Sequence, residues 1–205
     1  MRKLCVTAFL AMLCAGSAWA QNVPKAEIFG GYTYSRVERG TGLSGINLNG
    51  WNAGVTGNVN SWLGIIADFN GHYGTLAATS MNRHSFLFGP RLTYRGNDKV
   101  SPFVHFLFGG VRANHGITPP GPILPQLPPA SETAFGVVLG GGVDYNVSNH
   151  VAIRIVQADY VLTRFAESSG IVCIQSITTP CPTTQTGTQN NVRLSFGVVW
   201  RIGSR

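Results

Sequence analysis

The sequence predicts an all-β fold: an eight-stranded antiparallel up-and-down β-barrel that crosses a membrane, with short turns at one end and long loops at the other. Three observations predict it. Charged residues make up 11% of the 205-residue chain and glycine fills 26 positions, against roughly 25% and 7% in ordinary globular domains. Apolar and polar residues alternate with period 2 in run after run, the signature of strands with two unlike faces. Turn-forming residues separate those runs alternately by a few positions and by many.

The chain begins with a basic segment (Arg2, Lys3), continues through the apolar "LCVTAFLAMLCAG" and reaches "AWA" before Gln21. That is the pattern of a secretory signal peptide. Residues 1–20 are therefore expected to be cleaved, leaving a barrel domain over 21–205. Cleavage lowers the formal charge from +7 to about +5. It also leaves two cysteines, Cys173 and Cys181, which in an exported chain favour one disulfide closing a short loop over two free thiols.

Eight extended runs fill the rest. The first is 26–37, "AEIFGGYTYSRV". The second, 50–59, sets Trp51, Ala53, Val55 and Val59 against Asn52, Gly54, Thr56 and Asn58. The third, 62–73, sets Leu63, Ile65, Ala67 and Phe69 against Gly64, Asp68, Asn70 and His72. The fourth, 83–95, alternates small or cationic residues with Phe86, Phe88, Leu92 and Tyr94. The fifth, 101–113, carries His105 on the Phe103/Leu107 face, where it is expected to hydrogen-bond in the lumen. The sixth, 133–145, opposes Phe135, Val137, Leu139 and Val143 to Gly136, Gly140, Gly142 and Asp144. The seventh, 150–164, breaks its alternation: Arg154 cannot share a face with Gln157 or Asp159 unless a bulge lies near Ile155–Val156. The eighth, 190–203, opposes Val192, Leu194, Phe196, Val198 and Trp200 to Asn191, Arg193, Ser195, Gly197 and Arg201.

Each run is close to the ~10 residues that a tilted strand needs to span a bilayer. "NS" (60–61), "GNDKV" (96–100) and "NVSN" (146–149) are tight turns. The segments 38–49, 74–82, 114–132 and 165–189 are long connections. The polar face is Gly, Ser, Thr and Asn, which suits a crowded barrel interior. A secreted carrier of the lipocalin sort would show long charged side chains on that face, because water leaves room for them. Aromatic residues near the strand ends (Tyr34, Trp51, Trp62, Tyr73, Tyr94, Tyr145, Trp200) fit girdles at the two membrane interfaces.

The last run contains "SFGVVWRI", with Ser195, Gly197, Trp200 and Ile202 spaced as in the C-terminal assembly signal of outer-membrane barrels. On this motif, the strand count and the loop order, the mature chain resembles the OmpA/OmpX-type family, the outer membrane protein beta-barrel domain. "GGGVDYNVSNHVAIRIVQADY" (140–160) is similar to its penultimate hairpin. Here Gly203, Ser204 and Arg205 follow the motif, where the family often ends on Phe. The resemblance implies a bacterial outer-membrane location, contact with lipid and lipopolysaccharide, and recognition by the barrel-assembly machinery. What remains is a structural scaffold that displays its long loops. The proline-rich "PPGPILPQLPP" and the cysteine-bearing "CIQSITTPC" suit surface contact in adhesion as well as they suit rigid, protease-resistant loops that serve membrane integrity.

Opposite charges fall at similar depth on neighbouring strands. Three lumen ion pairs are expected: Glu27 with Arg201, Asp68 with Arg91, and Asp144 with Arg154, because unpaired charges in a narrow interior cost several kcal/mol each. The lumen is then plugged, and a diffusion channel is disfavoured because eight strands enclose little more than their own side chains. Catalytic chemistry is hard to find. "LGGGVDY" precedes no helix, so it is no phosphate loop, and the histidines lack metal-ligand spacing. The enzymatic alternative is a small lipid A-modifying barrel with a His/Ser pair at the rim, for which His84–Ser85 and His115 are the candidates. No cofactor is expected. The cations are too scattered for nucleic acid, and the barrel is expected to be a monomer with an extracellular ligand as a possible partner.

Overall fold

The computed structural model describes residues 23–37, 46–76, 79–117, 130–165 and 188–204. Within them lie eight strands: β1 (Pro24–Val37), β2 (Ile46–Asn58), β3 (Leu63–Leu76), β4 (Thr79–Thr93), β5 (Val100–Ile117), β6 (Ala130–Asn146), β7 (Val151–Phe165) and β8 (Thr188–Ser204). Each pairs antiparallel with the next, and β8 closes onto β1 through Glu27↔Arg201 to Val37↔Asn191. Following paired residues round the wall from Ile28 through Val55, Ala67, Phe88, Phe108, Val137, Leu162 and Asn190 returns the path to β1 about ten residues higher. That stagger tilts the strands and leaves an interior that side chains can fill.

The three short turns share one chemistry. The Asn60 side chain accepts from the backbone N–H of Trp62 (3.0 Å) and Leu63 (2.7 Å). Asn97 accepts from Lys99 (2.8 Å) and Val100 (3.1 Å). Ser148 accepts from His150 (3.3 Å) and Val151 (3.1 Å). Short polar side chains thus replace the strand ladder where it reverses. At the other end the strands run further than the sequence pattern suggested. β3 and β4 stay paired out to Leu76↔Thr79, so 74–82 is mostly hairpin rather than long loop. Thr75, Thr79 and Ser80 carry no apolar alternation, yet their backbone groups still gain by pairing beyond the membrane edge.

Outward positions form the apolar belt: Ile65, Phe86, Phe88, Leu139, Phe196 and Trp200 are each more than half exposed, far more apolar surface than a water-facing sheet carries. Trp62, Tyr94, Tyr145 and Trp200 ring the short-turn end, and Tyr32, Trp51 and Tyr73 the opposite end. There Tyr32 donates to Asn49 (2.6 Å) and the Trp51 indole to Tyr73 (3.3 Å). Tyr34 is half-buried. Strand β7 carries the bulge expected at Ile155–Val156. Arg154 pairs with Gly197 and Gln157 with Ser195, so Ile155 and Val156 both face out while Arg154, Gln157 and Asp159 all face in.

At the closing seam Gly31 pairs directly with Gly197. The backbones approach so closely that a Cβ on Gly197 would meet the Gly30 carbonyl and the Gly31 Cα. Gly197→Val is therefore expected to weaken closure of β1 on β8. Gel mobility before and after boiling should show a smaller folded fraction than Gly30→Val, where a Cβ meets nothing within 4 Å.

Candidate functional site in the barrel interior

Inward positions converge on a buried ladder of charge. At the short-turn end Arg95 donates to the Ser61 carbonyl (2.6 Å), Glu27 (2.8 Å) and Asn58 (3.1 Å). A basin of about 610 Å³, lined by Pro24, Asn97, Asn146 and Arg201 among others, brings water to this rim. The Glu27 carboxylate lies 3.3 Å from Arg91 and 3.7 Å from Arg201. Arg91 donates to Asp144 at 2.8 Å, and Arg154 grips the same carboxylate at 2.8 and 3.2 Å. Arg154 also donates to Gln157 (2.7 Å), which donates to Asp159 (2.8 Å). Asp159 meets His105 (2.8 Å) and accepts from Arg193 (2.7 Å). Arg193 then crosses the lumen from β8 to Asp68 on β3 at 2.9 Å, and Asn70 donates to that carboxylate at 3.0 Å.

Carboxylates and guanidiniums thus alternate from the rim well into the upper half. Every charged member except Arg95 is under a tenth exposed. Aromatic faces complete the desolvated sheath, with Arg91 4.0 Å from the Phe103 ring centre and Arg154 4.1 Å from that of Phe29 and 4.4 Å from Phe103. Phe103→Leu keeps most of the volume and removes the π-face. It should cost about 1–2 kcal/mol in urea unfolding, whereas Phe103→Ala adds a cavity and should cost about 3–5.

Of the expected partners, Asp144 meets Arg154 and Glu27 meets Arg201. Asp68 and Arg91 do not meet. Their strands place Asp68 opposite Leu87 and Arg91 opposite Gly64, a separation of four residues, or about 13 Å along the strand. Each turns instead to a partner across the lumen: Asp68 to Arg193, Arg91 to Glu27 and Asp144. Neighbour-strand reasoning missed Arg193–Asp68 because that bond runs through the barrel. It also missed Arg193–Asp159, although these two face each other in register on β7 and β8, because the bulge in β7 shifts the pairing. The odd polar density of β7 (Arg154, Gln157, Asp159) was the signal that could have found them.

His84 and Ser85 face opposite ways. Ser85 is buried in the lumen, while His84 lies on the outer wall, 3.3 Å from the Tyr73 hydroxyl, so they form no catalytic pair. The side chain of His115, the cysteines Cys173 and Cys181, and residues 1–20 lie outside the described residues. In the assembly motif, Ser195 points inward and donates to Thr33 (3.0 Å), Gly197 sits at the seam, and Trp200 and Ile202 face outward.

Three comparisons bear on this geometry. The model of the "Outer membrane protein beta-barrel domain" family matches residues 5–201. No curated protein matches the chain. Among solved structures, Ail, the attachment invasion locus protein of Yersinia pestis, is 18% identical with a TM-score of 0.57, covering 88% of this chain and 99% of its own. Ail has also been solved in complex with the heparin analogue sucrose octasulfate. Neisserial surface protein A is 12% identical with a TM-score of 0.62, covering 87% and 97%. At such identities the two structures share the fold of this chain, and the family match is what carries membership. A closed eight-stranded barrel, an apolar outer belt between two aromatic rings and a match over nearly the whole length make the chain a member of the outer membrane protein beta-barrel domain family, whose place is the bacterial outer membrane.

Proposed function

We propose that this protein is a plugged, non-catalytic scaffold that holds its outer connections at the cell surface, serving adhesion or membrane integrity. The observation that carries this is the ladder of ion pairs from Arg95 to Arg154 and from Asp159 to Asp68, joined through Gln157, which packs paired charge into the lumen. Opening a water path through it would separate buried ion pairs at several kcal/mol per charge. That His84 and Ser85 face opposite sides of the wall counts against the lipid A enzyme. Outward-facing Arg36, Arg112 and Arg164 lie near the upper strand ends, placed for the phosphates of lipopolysaccharide. Export by cleavage of residues 1–20, a Cys173–Cys181 disulfide, engagement of the assembly machinery by Ser195, Gly197, Trp200 and Ile202, and a monomeric state belong to the same proposal. The attachment role in the name of Ail supports the adhesive half of it.

The test is twofold. Purified protein in planar bilayers is expected to show no steady conductance above the lipid background; a stable open channel would refute the plug. Deleting 117–129 is expected to reduce binding of cells to host surfaces while leaving detergent sensitivity unchanged. The reverse outcome would favour membrane integrity, and a change in lipid A mass would restore the enzyme.

A further inference from the structure

At the short-turn end of the lumen one guanidinium is buried without a side-chain hydrogen bond. Arg201 is exposed at only 8%, and its Nε has no hydrogen-bond partner among the described residues. Its ion-pair contact with Glu27 Oε1 is long, at 3.7 Å. That same oxygen already accepts from Arg95 at 2.8 Å, and the other oxygen of Glu27 lies 3.3 Å from Arg91. Charge at this end does not balance. The chain has 8 acidic residues in all. Glu38, Glu132 and Glu167 belong by sequence to the outer ends of β1, β6 and β7. Asp68 and Asp159 are held by Arg193, and Asp98 is exposed on its turn. Glu27 and Asp144 alone remain to serve Arg91, Arg95, Arg154 and Arg201, two carboxylates against four guanidiniums.

The basin of about 610 Å³ at this end opens onto Arg201 and Arg95. Arg95 spends its terminal nitrogens on Ser61, Glu27 and Asn58, so it lends the basin charge rather than donors. Two turn residues lend donors. Asn97 and Ser148 also line the basin, and each closes its turn by accepting backbone N–H bonds on its side-chain oxygen. Their acceptors are thus turned to the backbone, while the Asn97 amide hydrogens and the Ser148 hydroxyl hydrogen remain to donate. Guanidinium, amide and hydroxyl donors around an excess of positive charge suit an oxyanion, and the guanidinium fork matches paired phosphate oxygens in particular. Asp98, the acidic residue of the lining, sits at its exposed edge beside Lys99. We propose that Arg201, with Arg95, Asn97 and Ser148, binds the phosphate group of a soluble phosphate or phosphate monoester at the short-turn mouth of the barrel. The short turns of such barrels face the periplasm, so the ligand is a periplasmic solute. A membrane phospholipid fits less well, because its acyl chains would have to leave the bilayer for its headgroup to enter the mouth. The site draws on none of the outer connections and stands whether or not they serve adhesion.

The experiment uses the full mature chain refolded in micelles of a phosphorus-free detergent, with inorganic phosphate as the probe. Its phosphorus-31 NMR line should broaden, saturably, on addition of the wild-type protein at physiological salt. Glycerol 3-phosphate should displace it, whereas glycerol and phosphatidylglycerol dissolved in the micelles should not. Arg201→Gln, shown to be folded by heat-modifiable gel mobility, should weaken binding by about tenfold or more. Arg36→Gln, at the far end of the outer wall, should leave it unchanged. Wild-type crystals soaked in arsenate should show anomalous density beside Arg201, a readout that needs no variant to fold. Equal binding by wild type and Arg201→Gln, or no anomalous density at Arg201, would overturn the proposal and leave that guanidinium to water or to the chain beyond Gly203. Displacement by phosphatidylglycerol would overturn the soluble ligand in favour of a lipid headgroup.

Discussion

Asp144→Ala is expected to destabilise the folded barrel by about 3–5 kcal/mol, the cost of removing one partner from a buried ionic cluster. Asp144 is fully buried and accepts three bonds from two guanidiniums, Arg91 and Arg154. Without it, Arg91 retains Glu27 at 3.3 Å, while Arg154 keeps only Gln157 and the faces of Phe29 and Phe103. The loss therefore falls mainly on Arg154, whose side chain is 1% exposed. Asp144→Asn should be almost as damaging, since the amide keeps the shape but not the charge. The triple variant Arg91→Met, Asp144→Leu, Arg154→Met should recover most of the loss, because well-packed apolar groups often replace a buried ionic cluster at little cost. Urea unfolding of protein reconstituted in lipid vesicles measures all three. An unchanged midpoint for Asp144→Ala would mean that water already reaches this depth, and the plugged interior would fall with it.

Strand number, connection order and the identity of the lipid-facing side were legible in the sequence because they rest on local signals. Period-2 alternation needs only consecutive residues. The turns at Asn60, Asn97 and Ser148 each declare themselves by one side chain closing its own loop. Even the bulge was legible: Arg154, Gln157 and Asp159 cannot share a face otherwise, and exposing any of them to lipid would be costly. The pairing of the interior was only partly legible. Asp144–Arg154 spans neighbouring strands of one hairpin, so sequence distance fixes it. Asp68 and Arg91 also lie on one hairpin, but there the turn length sets a register that separates them. Arg193–Asp68 depends on the diameter of the closed barrel, which brings β8 within a side chain's reach of β3. That distance is a property of strand number and stagger together, and no single strand encodes it.

A double-mutant cycle can therefore distinguish the neighbour pairing from the pairing across the lumen. Arg193→Gln strands two carboxylates at once, Asp68 and Asp159, exposed at 1% and 2%. It should cost about 3–5 kcal/mol, with His105, Gln157 and Asn70 offering Asp159 and Asp68 their remaining bonds. Asp68→Asn alone should cost less, because Arg193 keeps Asp159 through two nitrogens. Combined, the two changes should show a coupling of about 1–3 kcal/mol, as contacting residues do. The same cycle between Asp68→Asn and Arg91→Gln should be additive within about 0.5 kcal/mol, since the pair shares no contact. Coupling confined to Asp68 and Arg91 would place the strands in a different register from the one found here. Coupling confined to Asp68 and Arg193 has a mechanical consequence. These residues join opposite walls, so the bond ties the barrel across its width as well as filling it. Loss of that tie should widen the interior before it unfolds the sheet. Amide exchange should then rise first along the outer half of β8 near Arg193, ahead of the rest of the seam with β1, which keeps its own backbone ladder.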